Sequence, residues 1–128
     1  MQSPTSLSAP TGTATTPVFG RIYEASVTTI AGADASIGAQ LGYGPLNANP
    51  QYDPAWKWFN ASYNGGFVDP SNDEYQGTFV APAAGTYGYA YRFTLDGQSW
   101  TTCDTDGTGA NASLTFDIVK IPVLTVTP

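Results

Sequence analysis

The sequence contains no histidine. Histidine is the commonest general base near neutral pH and a common ligand of transition metals, so the chain lacks the residue that suits both roles best. Catalytic triads that activate a serine or a cysteine with histidine are therefore excluded within this chain. Its single cysteine, Cys103, also excludes an internal disulfide bond.

Basic residues are scarce as well. Four of them stand against ten acidic residues, which gives a formal net charge of −6. Proteins that bind nucleic acid need a basic surface for the phosphates, and anionic membranes attract the same kind of surface. The chain also has no run of about 18 apolar residues, the length that a membrane-spanning helix needs. We therefore expect no nucleic-acid partner and no membrane insertion.

Charged residues of either sign make up 11% of the chain, well below the average of about 25% for soluble domains. Aromatic residues make up 13%, and the chain has 14 glycines and 10 prolines. This composition suits short strands joined by many turns. It also suits a protein that contacts neutral polar surfaces, so we expect a secreted or cell-surface location.

Residues 86–95 alternate between large apolar side chains and side chains that are small or polar. One side of this two-residue period holds Tyr87, Tyr89, Tyr91, Phe93 and Leu95. Only an extended strand separates the two sets. A turn with glycine leads into the segment, as in a central strand of an immunoglobulin-like sandwich, where Tyr87 would be a corner residue. With turn signals about every 8 to 12 residues, the sequence predicts an all-β fold, an immunoglobulin-like antiparallel β-sandwich of seven to eight strands.

The first 17 residues differ in composition from the rest. They consist mainly of serine, threonine, proline and alanine, with Leu7 as the large aliphatic side chain. Such a composition is typical of a linker or an extended tail. We therefore predict a tail at 1–17 and the sandwich domain at 18–128.

Trp56 and Trp58 are the sharpest candidates for a binding site. Two residues apart on a predicted strand, they share one face with Asn60, while Phe59 and Tyr63 lie on the other face. Two indoles beside an amide could form a platform for sugar rings. Alternatively, the tryptophan face is the buried one, since tryptophan is a core residue in many sandwiches. Both interpretations remain open from the sequence.

The acidic residues suggest two weaker hypotheses. Asp104 and Asp106 precede a glycine, as in the start of a calcium loop, but an EF-hand would need a glutamate where Thr115 stands. The alternatives are a plain acidic turn or a looser calcium site that also uses Asp69, Asp73 or Glu74. No other cofactor is predicted.

Catalysis by paired carboxylates is not expected, because glycoside hydrolysis needs two carboxyl groups facing each other across a cleft. In this chain the acidic pairs fall at predicted hairpin tips. The basic Arg92, on the other face of its strand, is expected either to pair with Glu74 or Asp73 or to be a solvent-exposed contact. The sequence therefore predicts a protein that is not an enzyme.

Residues 18–106 carry four motifs in a fixed order: Trp56-x-Trp58, then Tyr63-Asn64, then the tyrosine-rich strand, then Asp96-Gly-x-x-Trp100. In this order they resemble the starch-binding modules of carbohydrate-binding families 25 and 53. Those are bacterial secreted accessory modules with an immunoglobulin-like sandwich.

The resemblance implies specific roles. Trp56 or Trp58, together with Trp100, would stack on sugar rings, and Asn60 or Asn64 would hydrogen-bond sugar hydroxyls. The binding faces associated with these families include a histidine, which this chain lacks.

Two functional expectations follow. The first is a non-catalytic extracellular module that binds neutral polysaccharide, a starch-like glucan, by aromatic stacking; it requires at least two of the three tryptophans to expose ring faces in one groove. The second is a structural subunit or surface-protein module that binds neighbouring copies of itself, exchanging strands or tails to build fibres or a surface layer. It requires residues 1–17 to leave their own fold.

Overall fold

A computed structural model describes residues 2–103 and 121–128, and in these residues the fold is all-β with no helix. It follows that no helix in this part of the chain is long and apolar enough to cross a membrane. The strands are β1 (Gln2–Ser3), β2 (Ser6–Pro10), β3 (Val18–Ile22), β4 (Gly38–Pro45), β5 (Lys57–Asn60), β6 (Ser62–Tyr63), β7 (Asp73–Gly77), β8 (Gly85–Thr94), β9 (Thr101–Thr102) and β10 (Val123–Thr127).

The strands form two sheets that pack face to face as a sandwich. The four-stranded sheet has the order β1-β3-β7-β6, and the six-stranded sheet has the order β2-β10-β8-β4-β5, with β9 paired to the end of β8. The all-β sandwich is thus confirmed. The antiparallel expectation needs one correction, because β2 and β10 run parallel. The described strands also exceed the predicted seven to eight, since two lie before residue 18 and the segment 55–63 divides into β5 and β6.

The core lies between the sheets and is dominated by β8. Tyr89 and Tyr91 are fully buried and Phe93 nearly so, as the alternation of residues 86–95 predicts, whereas Leu95 follows the end of the strand and is exposed. Burial raises the pKa of both tyrosines. Their hydroxyls donate hydrogen bonds to backbone carbonyls, that of Tyr91 to Val18, so these polar groups are satisfied inside the core.

Tyr87 makes a short-range hydrogen bond back to the turn that precedes β8. Its hydroxyl donates to the carbonyl oxygen of Ala83, four residues earlier, at 2.8 Å. This bond ties the turn before β8 to the start of the strand.

Residues 2–10 are predicted to be part of a linker or tail, but in the structure they contribute one strand to each sheet. β1 pairs with β3 and β2 pairs with β10, and Leu7 is buried in the core. The Gln2 amide fills a gap at the edge of β8: its Nε2 donates to the carbonyl of Tyr89, and its Oε1 accepts from the N–H of Tyr91. The gap exists because β10 pairs with β8 only up to Gly88 and β9 only from Arg92 onward.

Candidate functional site

The candidate site lies on the outer face of the six-stranded sheet. Along β4, the core-facing side chains alternate with Gly38, Gln40, Gly42 and Gly44, which therefore face outward. On β8, Ala90 lies opposite Gly42 and Gly88 lies opposite Gly44, so these outward positions are also small. With so few side chains standing on it, this part of the sheet leaves its backbone open to flat contact with large rings.

Two glycines are required for the indoles to lie where they do. A Cβ added at Gly42 would come within 2.5 Å of Cε3 of Trp58, and one at Gly44 within 2.6 Å of Cγ of Trp56. Neither distance is compatible with an alanine unless the ring moves. The alternation of glycine along β4 is thus the sequence signal for a face that receives aromatic rings.

Trp56 is part of a small second core and not of a binding surface. It is only 4% exposed, packs with Ala90 and Ile121, and donates a hydrogen bond from Nε1 to the carbonyl of Ala48 at 2.9 Å. A buried indole has no ring face to offer to a sugar. The structure therefore corrects its assignment as a stacking residue and supports the core interpretation for this tryptophan.

Trp58 and Trp100 are partly exposed and share one cation. The Cζ atom of Arg92 lies 4.2 Å from the ring centroid of Trp58 and 4.3 Å from that of Trp100. We call these three residues the Trp-Arg-Trp stack. Trp58 also stacks on Trp56, with centroids 5.7 Å apart. The structure thus brings Trp58 and Trp100 together through Arg92, which was expected from the sequence to pair with an acidic residue.

Among the described residues, Arg92 is held by an amide and by no acidic side chain. Its Nε and Nη2 both donate to Oε1 of Gln40, at 2.9 and 2.6 Å, because Gln40 lies directly opposite it on β4. The expected pairing with Glu74 or Asp73 is wrong: Glu74 lies in the other sheet and binds Arg21 at 3.1 Å. Burial lowers the pKa of the Arg92 guanidinium, which stays charged at neutral pH.

The two predicted asparagines lie in different sheets. Asn60 is opposite Gln40 on β5, and its Oδ1 accepts a hydrogen bond from Nε2 of Gln40 at 3.2 Å. It therefore belongs to the same outer face as the Trp-Arg-Trp stack. Asn64 follows β6 and donates from Nδ2 to Oε2 of Glu74 at 2.8 Å. The structure thus separates Asn64 from the tryptophans and gives it a role in holding Glu74.

The predicted calcium ligands Asp104 and Asp106 lie outside the described residues. Of their suggested co-ligands, Asp69 accepts backbone hydrogen bonds from Ser71 and Asn72, which lower its pKa. Asp73 is buried, and desolvation raises its pKa. In residues 2–103 and 121–128, no three acidic, cysteine or histidine side chains are grouped to hold a metal ion.

No protein-family model and no curated protein sequence matches this chain. The site therefore has to be interpreted from its own chemistry. Within residues 2–103 and 121–128, the outer face presents the partly exposed rings of Trp58 and Trp100, the guanidinium of Arg92, and the neutral amides of Gln40 and Asn60. Such groups recognise a ligand through ring contacts and hydrogen bonds, and they supply no pair of titrating groups for acid–base chemistry.

Proposed function

We propose that this chain is a non-catalytic, secreted or cell-surface module that binds a neutral polysaccharide, a starch-like glucan, by aromatic stacking. The observation that carries the proposal is the Trp-Arg-Trp stack. It holds two partly exposed indoles against one guanidinium on a single outer sheet face. The stack uses Trp58 and Trp100, and it does not use Trp56.

The chemistry of the face suits a sugar chain. The C–H surfaces of a pyranose stack on indole rings, and amides and guanidinium groups hydrogen-bond to vicinal hydroxyls. Asn60 and Gln40 place neutral amides next to the rings. Because Arg92 and Gln40 already fix the indoles, little side-chain freedom would be lost on binding. The low charge of the chain also favours a neutral ligand over an anionic one.

The strand order supports an immunoglobulin-like assignment. The sheet order β1-β3-β7-β6 corresponds to the order A, B, E, D of the first sheet in an immunoglobulin domain, and β10-β8-β4 corresponds to G, F, C of the second. The bond from Tyr87 to Ala83 has the form of a tyrosine corner. Both features agree with the resemblance to starch-binding modules, which share that fold.

The decisive experiment measures retention on insoluble starch and affinity for soluble glucans. We expect the parent protein to be retained. Trp58→Ala and Trp100→Ala should each weaken binding by roughly tenfold or more, because a stacking contact of about 1.4 kcal/mol corresponds to a factor of ten. Tyr23→Ala, which removes an exposed ring that follows β3 in the other sheet, is the matched control and should bind like the parent.

Two results would contradict the proposal. One is a parent protein that is retained neither on starch nor on other glucans. The other is a Trp100→Ala variant that folds and binds as well as the parent. The self-assembly alternative has less support, since residues 2–10 pair with β3 and β10 of their own chain. It predicts concentration-dependent oligomers in sedimentation, which the polysaccharide proposal does not require.

A further inference from the structure

A second concave surface lies beside Asn60, where the chain passes from one sheet to the other. Asn60 ends β5 in the six-stranded sheet, and Ser62 begins β6 in the four-stranded sheet. An open cleft of about 290 Å³ lies at this crossing. Its lining consists of Pro17, Asn60, Ser62, Gln76, Gly77 and Thr78.

The lining is neutral and polar. It offers two amides and two hydroxyls, with no acidic or basic side chain among them. Ser62 lies directly opposite Gln76 in the pairing of β6 with β7, so their side chains share one face. Such a surface suits a ligand whose own polar groups are uncharged hydroxyls.

Most polar side-chain atoms of this lining have no hydrogen-bond partner within the described residues. Within the described residues, the side chains of Ser62, Gln76 and Thr78 make no hydrogen bond. Asn60 accepts one bond, at Oδ1, from Gln40. Its Nδ2 makes none within the same part of the chain. These hydroxyl and amide groups are therefore available to bond to a ligand.

Asn60 connects this cleft to the Trp-Arg-Trp stack. Its amide is bonded to Gln40, which in turn holds Arg92. A chain of sugars that extends from the stack along Gln40 and Asn60 would meet the cleft, because Asn60 belongs to both. The cleft volume lies near the lower limit of small-molecule sites, about 300 Å³, so it would take a short segment of such a chain.

We propose that the cleft is a second subsite for the same polysaccharide, in which Gln76 and Ser62 hydrogen-bond the hydroxyls of sugar residues that extend beyond the stack. This inference rests on the proposed function. It adds that the module distinguishes long glucans from short ones. A short oligosaccharide occupies the stack alone, whereas a longer one occupies both subsites.

The test compares a short and a long glucan, maltotriose and maltoheptaose, by isothermal titration calorimetry. The parent should bind maltoheptaose more tightly than maltotriose. Gln76→Ala and Ser62→Ala should each weaken maltoheptaose binding about three- to tenfold, the value of one or two hydrogen bonds, and leave maltotriose binding unchanged. Gln98→Ala removes an exposed glutamine amide outside the cleft and is the matched control.

The outcomes separate the two proposals. If the parent binds neither oligosaccharide nor starch, the proposed function fails and the subsite fails with it. If the parent binds both and the cleft variants keep the parental preference for maltoheptaose, only the subsite is overturned. If the cleft variants weaken both oligosaccharides equally while their circular dichroism and melting temperature match the parent, the two-subsite arrangement is also wrong.

Discussion

Arg92 is the residue on which the candidate site depends. Its planar guanidinium contacts two indoles and places two N–H groups on a single oxygen of Gln40. An ammonium group cannot reproduce this, because it is a compact charge without the planar surface that stacks on a ring. The geometry of both tryptophans therefore depends on this side chain being arginine.

We predict that Arg92→Lys lowers the free energy of unfolding by about 1 to 2 kcal/mol, because the ring contacts weaken and the pair of hydrogen bonds to Gln40 is lost. Urea denaturation followed by tryptophan fluorescence measures this change. The red shift of the folded-state emission would report greater exposure of Trp58 and Trp100. Lys57→Arg, at an exposed cation on β5, is the control and should leave stability unchanged. An Arg92→Lys protein as stable as the parent would contradict the role given to the stack.

Part of the site could be predicted from the sequence at this scale. The two-residue period placed Trp58 and Asn60 on one face, and the structure keeps them there. The period could not distinguish Trp56, which is covered because its indole hydrogen-bonds to Ala48 in the preceding loop. Nor could it place Asn64, because the change of sheet at Ala61 is a tertiary feature with no local signal.

Strand β1 shows how a two-residue element can join two sheets. Its backbone pairs with β3 in the four-stranded sheet, while the Gln2 side chain bonds to the backbone of β8 in the six-stranded sheet. The composition of residues 1–17 gave no sign of this. The two residues of β1 are too few to show an apolar pattern. The partners of Gln2, Tyr89 and Tyr91, lie more than 80 residues away in the sequence, so no local signal points to them.

We predict that Gln2→Ala destabilises the protein by about 1 to 3 kcal/mol, because it leaves the buried N–H of Tyr91 and the carbonyl of Tyr89 without partners. Thermal or urea unfolding measures the loss, and hydrogen exchange should show faster exchange of the Tyr91 amide. The exposed Gln98→Ala serves as the control. If residues 1–17 behave as a linker only, Gln2→Ala will have no effect on stability or exchange.

The acidic residues make the stability of the whole molecule depend on pH in two opposite ways. Asp73 is buried at 4% exposure, and its Oδ2 has no hydrogen-bond partner within the described residues. Desolvation, and then the charge of Asp34, raise its pKa. Asp96 is exposed and accepts bonds from the backbone N–H groups of Ser99 and Gln98, which lower its pKa to about 2.

We predict that Asp73→Asn is more stable than the parent at pH 7, by about 1 kcal/mol, the scale of one unsatisfied buried polar group. Folding favours the protonated form of Asp73. Its contribution to stability is therefore greatest below the unfolded pKa of 3.8 and is lost as pH rises through the higher folded pKa. The advantage of the variant should shrink as pH falls from the raised folded pKa toward 3.8 and should be gone below that value, as measured by urea denaturation across pH 3 to 7.

Asp96→Asn is the control of opposite sign. The lowered pKa of Asp96 means that its contribution is present above the unfolded pKa and is lost as pH falls toward 2. This variant should therefore be less stable than the parent at pH 7 and approach it in acid. Parallel pH profiles for Asp73→Asn and the parent would show that Asp73 titrates normally in the fold.

At the scale of the molecule, the strongest sequence signal led to the correct architecture. The alternation of residues 86–95 requires a strand with one aromatic face, and burying that face requires a second layer. The partition of strands between the sheets could not be predicted in the same way. The parallel pair of β2 and β10 joins segments more than a hundred residues apart, Ser6–Pro10 and Val123–Thr127, and nothing in either segment indicates which other strand it pairs with.

The parallel pairing of β2 and β10 determines how the sandwich responds to a pulling force. A force that draws the chain away before Ser6 and after Thr127 pulls β2 and β10 in opposite senses along their common axis. Their backbone bonds are then loaded together in shear, and none can open without the others. An antiparallel pair of neighbouring strands pulled from its open end would unzip one bond after another. We therefore expect the parallel pair to resist a pull applied at both strands better than an antiparallel pair of neighbouring strands would.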